Sequence, residues 1–349
     1  MGTINKKVFG QLSNGIKVHQ FTLKNNSGLE VRCIEYGAII THLFTPNRDG
    51  NSDDIVLGYD RLEDYIKGGM YLGAVVGRFG NRIEHGSFKL DDKTYNIPQN
   101  ESANSLHSGP NGFDKKLWKG LESQESLEPA VTFKMVSPDG DNGFPGELNA
   151  EVTYQLKDDN SLHIRYTATT TKTTVVNLTQ HSYFNLNGLN SDILDHEIKI
   201  DADNIVAVDQ ASIPLPEMLS VDKTPFDFRE RASIGERINM EHAQLNLGSG
   251  FDHTFVLNQN LNAAISVYDQ FSGRTMEVIT TEPGVQFYSG NHLNNSIKGK
   301  NGIDYNSRMG FCLETQHFPN SPNRPDFPTS RLDPGDTYKS ETVYKFGIK

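Results

Sequence analysis

Apolar and polar side chains alternate along much of this chain with a period of two. From Glu147 to Leu156 the residues Leu148, Ala150, Val152, Tyr154 and Leu156 are separated by Glu147, Asn149, Glu151, Thr153 and Gln155, which predicts a strand with one buried face. Asp158, Asp159 and Asn160 supply a turn. Ser161 to Thr169 then repeats the alternation through Leu162, Ile164, Tyr166 and Ala168, so the two runs predict a hairpin. Further strands are expected at Gly28–Tyr36, Ala38–Phe44, Phe88–Ile97, Ala130–Val136, His196–Asp201, Ala264–Tyr268, Thr275–Thr281 and Thr337–Phe346. Helical spacing is confined to Leu62–Lys67 and to Ile234–His242, the latter with Ser233 as N-cap. No strand and long-helix rhythm of a doubly wound fold occurs. The pattern predicts an all-β protein, a large antiparallel β-sandwich with a few short helices.

No internal repeat or low-complexity linker divides the 349 residues, so a single domain over 1–349 is expected. The Pro-rich stretch His317–Asp336 reads as an ordered surface loop. Forty-four acidic against 33 basic side chains give a net charge of −11. That balance argues against nucleic acid or an anionic membrane as partner, since both are held by clustered Lys and Arg. A small neutral or cationic ligand fits better. The cysteines, Cys33 and Cys312, stand far apart and suit neither a disulfide framework nor a zinc site. No run approaches the roughly 18 apolar residues of a membrane span, and the first residues lack the apolar core of a signal peptide. A cytoplasmic location is expected.

Three segments place acid–base groups beside aromatic or amide residues in β-rich surroundings: Asn177 to Asn185 around His181, Gly250 to Phe255 around Asp252 and His253, and Phe311 to Gln316 around Glu314. Glu314 stands out because an ionisable group in an apolar run is costly to bury unless it is paired or functional. The glycines between Gly73 and Ile83 do not fit a nucleotide-binding pattern and are read as allowing tight turns or close strand approach. His107 lies on a loop of small residues, Asn104-Ser-Leu-His-Ser-Gly109.

Taken in order, Gly77-Arg78, Asn81-Arg82-Ile83, Asn104-Ser-Leu-His107, Asn177-Leu-Thr-Gln-His181-Ser-Tyr183-Phe-Asn185-Leu186, Phe251-Asp252-His253, Pro283-Gly-Val-Gln286-Phe287-Tyr288 and Leu313-Glu314-Thr-Gln316 resemble the aldose 1-epimerase (galactose mutarotase) family. The match is collinear and covers nearly the whole chain. It implies a galactose mutarotase-like β-sandwich that interconverts the α and β anomers of free hexoses such as D-galactose and D-glucose, with no cofactor or metal. It also implies His181 as general acid, Glu314 as general base, and Asn81, Arg82, His107, Asp252 and Gln286 as sugar-binding residues. Against the family pattern, Phe79-Gly80 stands where Val-Ala is common, Gln180 where Asn is frequent and Ser108 where Gly is frequent. Gln180 and Ser108 are expected near enough to the sugar to alter its contacts.

The remaining candidates receive structural readings. Tyr183 and Phe287 are read as core packing rather than as a stacking surface, Trp118 as packing, and the Lys298-Gly-Lys300 pair as a solvated turn. With Glu314 and Asp252 expected in one cleft, their negative charge is expected to outweigh burial and raise the His181 pKa. A glycoside hydrolase using Asp252 and Glu314, a hexose-6-phosphate epimerase and a noncatalytic sugar-binding module are the rival functions. The last has no need of a donor and acceptor pair.

Overall fold

Alternation along the chain becomes pairing across sheets. The computed structural model describes residues 2–123, 128–258, 263–294 and 296–349. Among these, a nine-stranded antiparallel sheet runs in the order Lys119–Glu122, Ala130–Ser137, Leu148–Leu156, Ser161–Thr170, Tyr338–Ile348, Arg274–Thr280, Ile265–Tyr268, Glu197–Ile200 and Ala232–Ser233. The predicted hairpin is present, with Tyr154 opposite Ile164 and Leu156 opposite Leu162. A five-stranded sheet takes the order Leu219–Ser220, Ala202–Val206, Asp252–Leu257, Gly284–Tyr288 and Cys312–Gln316. A second five-stranded sheet is formed by Thr3–Gln11, Lys17–Lys24, Glu30–Ile34, Ile40–Pro46 and Ser52–Asp54 in chain order. No helix among the described residues is long and apolar enough to cross a membrane.

The largest core cluster joins all three sheets. Phe21 and Val31, Val152, Ile164 and Tyr344, and Phe255, Phe287 and Leu313 all belong to it. The Tyr344 hydroxyl donates to the Leu313 carbonyl at 3.0 Å, and the Thr315 and Thr342 hydroxyls meet at 2.6 Å. The strand Cys312–Gln316 is thereby fixed against the long C-terminal strand of the nine-stranded sheet. Trp118 is in this core as expected, its indole N–H donating to the Phe113 carbonyl.

Leu62–Lys67 forms the predicted helix, anchored by buried Leu62 and Tyr65. The segment Ile234–His242 is shorter than predicted. It is helical only over Ile234–Ile238, where Ser233 does accept from the Glu236 N–H. The chain then breaks and restarts at Ala243–Gly248 under a His242 cap. Phe88–Ile97 is not one strand but the hairpin Ser87–Leu90 and Lys93–Asn96. Asp91 takes φ 52° there, a turn conformation that Asp tolerates well. The first strand carries too few apolar positions to be read from sequence, since most of Thr3–Gln11 is exposed.

The proposed solvated turn at Lys298-Gly-Lys300 is half wrong. Lys298 is exposed and pairs with Asp304, but Lys300 is 2% exposed. Its ammonium donates to Asp54 at 2.6 Å and to the Val56 carbonyl at 2.8 Å. Burial lowers its pKa while Asp54 opposes that shift. Lys300→Met is expected to lower the unfolding free energy by about 3 kcal/mol, because Asp54 would keep its charge without a counterion. Urea denaturation checks this, and an unchanged midpoint would mean that water replaces the ammonium at no cost.

Candidate active site

Strand parity builds one wall of the site. Asp252 and Thr254 lie opposite Tyr288 and Gln286, which in turn lie opposite Cys312 and Glu314. Side chains two apart share a face, so these six project to one side of the sheet. Phe255, Phe287 and Leu313 go to the other side, into the core. The second wall comes from the segment Gly73 to Ile83 and the strand Thr179–Gln180. Gly73 has φ 71°, and a Cβ there would sit 2.1 Å from the Ile40 carbonyl oxygen, so only glycine permits this approach. Its N–H donates to the His181 carbonyl, while the His181 N–H donates to Ala74. The glycine reading thus holds, and this glycine helps to set the height of His181.

The two walls enclose a cleft of about 200 Å³ lined by Tyr71, Asn81, Arg82, Glu101, His107, His181, Tyr183, Asp252, Gln286, Tyr288, His292 and Glu314, among others. That is below the ~300–1,000 Å³ usual for drug-sized ligands and suits a single small ring. All seven residues expected in the site line this one cleft. Gln180 and Ser108 do not. Gln180 donates to the Gly73 carbonyl and to the Tyr154 hydroxyl, and Ser108 is pinned to the Phe79 backbone in both directions. Both serve the scaffold, so the expectation that they alter sugar contacts fails. Tyr183 lines the cleft against expectation, whereas Phe287 packs in the core as read.

Several contacts were not legible in the sequence. Glu101 holds Arg82 in a two-pronged pair, with Nε at 2.5 Å and a terminal nitrogen at 2.8 Å, which fixes the plane of the guanidinium. Gln286 donates to Asp252 at 2.7 Å and accepts from the Thr254 hydroxyl. Tyr71 takes φ 55° and lies over the His181 ring at 5.6 Å, with Tyr183 on the same ring at 5.1 Å, both within 26° of parallel. Nothing in the spacing of Glu101 or Tyr71 marks them. Their roles come from a loop and a backbone conformation that bring distant segments together.

His181 Nε2 lies 3.6 Å from Glu314 Oε1, and Glu314 Oε2 has no hydrogen-bond partner. Burial lowers the His181 pKa from its usual value to about 4. The expectation of a raised value is therefore corrected: with the ring 5% exposed, desolvation outweighs the nearby carboxylates. Burial and then the charge of Asp252 push Glu314 well above the usual carboxylate range, with Arg82 opposing. His107 is pulled well down by burial, with His181 and Arg82 adding to the effect.

His107, His181 and Glu314 bring potential metal-ligating atoms within 4.8 Å of one another. The hydrogen bonding at His107 does not fit a metal ligand, however. The Asn81 backbone N–H donates to His107 Nδ1 at 3.0 Å, so the neutral ring carries its hydrogen on Nε2. A ligating histidine usually has the reverse arrangement, with Nδ1 donating to a second group. His107 is built to give a hydrogen bond. The cleft as a whole offers donors at Arg82 and His107, acceptors at Asp252 and Gln286, and one close histidine–carboxyl pair, His181 and Glu314.

The family profile described as aldose 1-epimerase matches residues 19–345. The chain is 44% identical to galactose mutarotase of Rattus norvegicus and of Homo sapiens, over 352 aligned positions covering all of each chain. It is 37% identical to the aldose 1-epimerase of Escherichia coli K12 over 93% of this chain and 94% of that one. The structure of galactose 1-epimerase from Lactobacillus acidophilus superposes with a TM-score of 0.88 at 30% identity, covering 99% of both chains. An aldose epimerase homologue from C. elegans superposes at 0.86, also at 30% identity, covering 93% of this chain and 97% of that one.

Proposed function

The chain belongs to the aldose 1-epimerase family, and on that premise we propose that His181 and Glu314 carry out the proton transfers while Asn81, Arg82, His107, Asp252 and Gln286 hold the sugar. The protein is an isomerase that interconverts the α and β anomers of free hexoses such as D-galactose and D-glucose. We also infer that the chain works as one domain in the cytoplasm.

Anomerisation needs two proton movements and a bond rotation. Glu314, as carboxylate, takes the proton of the C1 hydroxyl. The C1–O5 bond breaks, its electron pair goes to O5, and O5 takes the proton from His181 Nε2. The open aldehyde rotates about C1–C2 and presents its other face. Reversing both transfers closes the ring with C1 inverted. The observation that carries this reading is the 3.6 Å pair itself, buried in the lining of a cleft of about 200 Å³. A binding module gains nothing from such a pair, and two carboxylates acting on a glycoside would leave His181 without a task. Arg82, held by Glu101, and Asp252, held by Gln286, orient the hydroxyls at little entropic cost. The decisive experiment is polarimetry of freshly dissolved α-D-galactose with and without protein. A rate equal to the uncatalysed one would sink the reading.

The protonation state follows from burial. Burial favours the neutral form of both groups in the free protein, the form in which the pair holds one proton on the carboxyl. The working state has the same proton count with the proton moved to Nε2, and it is the state that sugar hydroxyls and Arg82 favour by solvating the carboxylate. The kcat/KM profile should be a bell with macroscopic limits. Below the acid limb, near the depressed value of about 4, His181 gains a second proton for the pair. Above the alkaline limb the pair loses its only proton, a limit set by the raised Glu314. Because Asp252 helps to raise Glu314, Asp252→Asn is expected to move the alkaline limb downward. A limb that stays in place would detach it from Glu314.

A further inference from the structure

His181 Nδ1 has one side-chain partner, the Cys312 sulfur at 3.5 Å. Cys312 is fully buried. It lies two residues before Glu314 on the same strand and the same face. One strand therefore supplies both the base and the group behind the acid. The flat faces of the His181 ring are covered by Tyr71 and Tyr183, and the His107 ring meets it edge-on at 5.5 Å. Stacking limits tilt but does not choose whether Nε2 or, after a half-turn of the ring, Cε1 points at Glu314. A hydrogen bond at Nδ1 does.

The geometry points to Cys312 as the positioning residue of His181, holding Nε2 toward the reacting atoms through a partner too weak to trap the proton on the ring. The inference rests on the acid role proposed for His181. When the Nε2–H bond breaks, its electron pair stays on nitrogen and the proton forms the new O5–H bond. The neutral ring left behind has its hydrogen on Nδ1, donated to sulfur, and a bare Nε2. That is the form able to take the same proton back when the other anomer closes. A carboxylate at Nδ1 would stabilise the imidazolium and slow its discharge. A residue without hydrogen-bonding capacity would let the ring turn over and put Cε1–H where Nε2 stands. A thiol accepts and donates weakly, which suits a reaction that must run in both directions through the same proton. Burial keeps the Cys312 thiol protonated by pushing its pKa well up, with the charges of Glu314 and Asp252 adding to the effect.

The test uses Cys312→Ala, Cys312→Ser and Cys312→Asp in the full chain, with polarimetric kcat, KM and pH profile, and with ¹⁵N NMR of the His181 ring. The titratable groups against that ring besides Cys312 are His107, Glu314, Tyr71 and Tyr183, with Arg82 and Asp252 in the same cleft, and all of these are left intact. Cys312→Ala is expected to lower kcat about tenfold or more with KM within about twofold, because a misdirected catalytic group costs turnover rather than binding. Its neutral ring should show a mixture of tautomers. Cys312→Ser should recover most of the lost kcat. Cys312→Asp, if folded, should raise the acid limb by about one unit or more. Wild-type kcat and an unchanged ring tautomer in Cys312→Ala would overturn the inference, as would Cys312→Ser no better than Cys312→Ala. Normal turnover in His181→Asn would instead remove the acid role itself, so the two failures are distinguishable.

Discussion

Glu314→Gln is expected to lower kcat by about 10²- to 10⁴-fold, the usual share of a positioned general base, with the fold and KM nearly unchanged. The expectation of an intact fold has a specific ground. Glutamine matches glutamate in size, and burial already favours the neutral form of the Glu314 carboxyl. Oε2 makes no hydrogen bond that the amide would lose. The substitution therefore removes a proton acceptor and little else. Stopped polarimetry gives kcat, and a thermal melt by circular dichroism checks the fold. Near-normal turnover in a folded Glu314→Gln protein would take the base role from Glu314.

His181→Asn is expected to cost kcat a similar factor, about 10²- to 10⁴-fold, and to erase the acid limb of the pH profile. Asparagine fills part of the ring's space between Tyr71 and Tyr183 but cannot release a proton near neutral pH. The double variant with Glu314→Gln should be little worse than either single one, since the two groups act as a unit and their losses do not add. If the double variant lost the product of both factors, the residues would be working in separate steps. The 3.6 Å separation argues against that.

What the sequence disclosed and what it withheld divide along a physical line. Period two is a local property, and it correctly predicted the hairpin at Leu148–Leu156 and Ser161–Thr170. It missed Thr3–Gln11 because an exposed edge strand has no apolar face to display. That the seven expected residues would meet in one cleft was legible because their motifs run in family order, and parity explains why Asp252, Gln286 and Glu314 converge. Glu101 and Tyr71 were illegible, since each reaches the cleft through a loop whose course no local pattern encodes. The direction of the His181 shift was misjudged for the same reason. Charge partners can be guessed from a list of residues, but the loss of water around a ring depends on everything packed over it. Lys300 shows the converse case, a lysine in a glycine-rich turn that looks solvated until Asp54 arrives from far along the chain.

The division of labour across the strands Asp252–Leu257, Gly284–Tyr288 and Cys312–Gln316 also governs how this protein can change over time. Substitutions at Gln286 or Tyr288 alter what the sugar meets without disturbing Phe255, Phe287 or Leu313 behind them. New substrate preferences are therefore open to drift by single replacements. Insertion or deletion of one residue is another matter. A one-position slip in Gly284–Tyr288 would turn Phe287 into the cleft and Gln286 into the core. Each large apolar side chain so displaced forfeits roughly 1.5–3 kcal/mol of burial, and the amide would enter the core without a partner. Lineages descending from this sequence should thus vary in residue type along these strands while keeping their lengths constant.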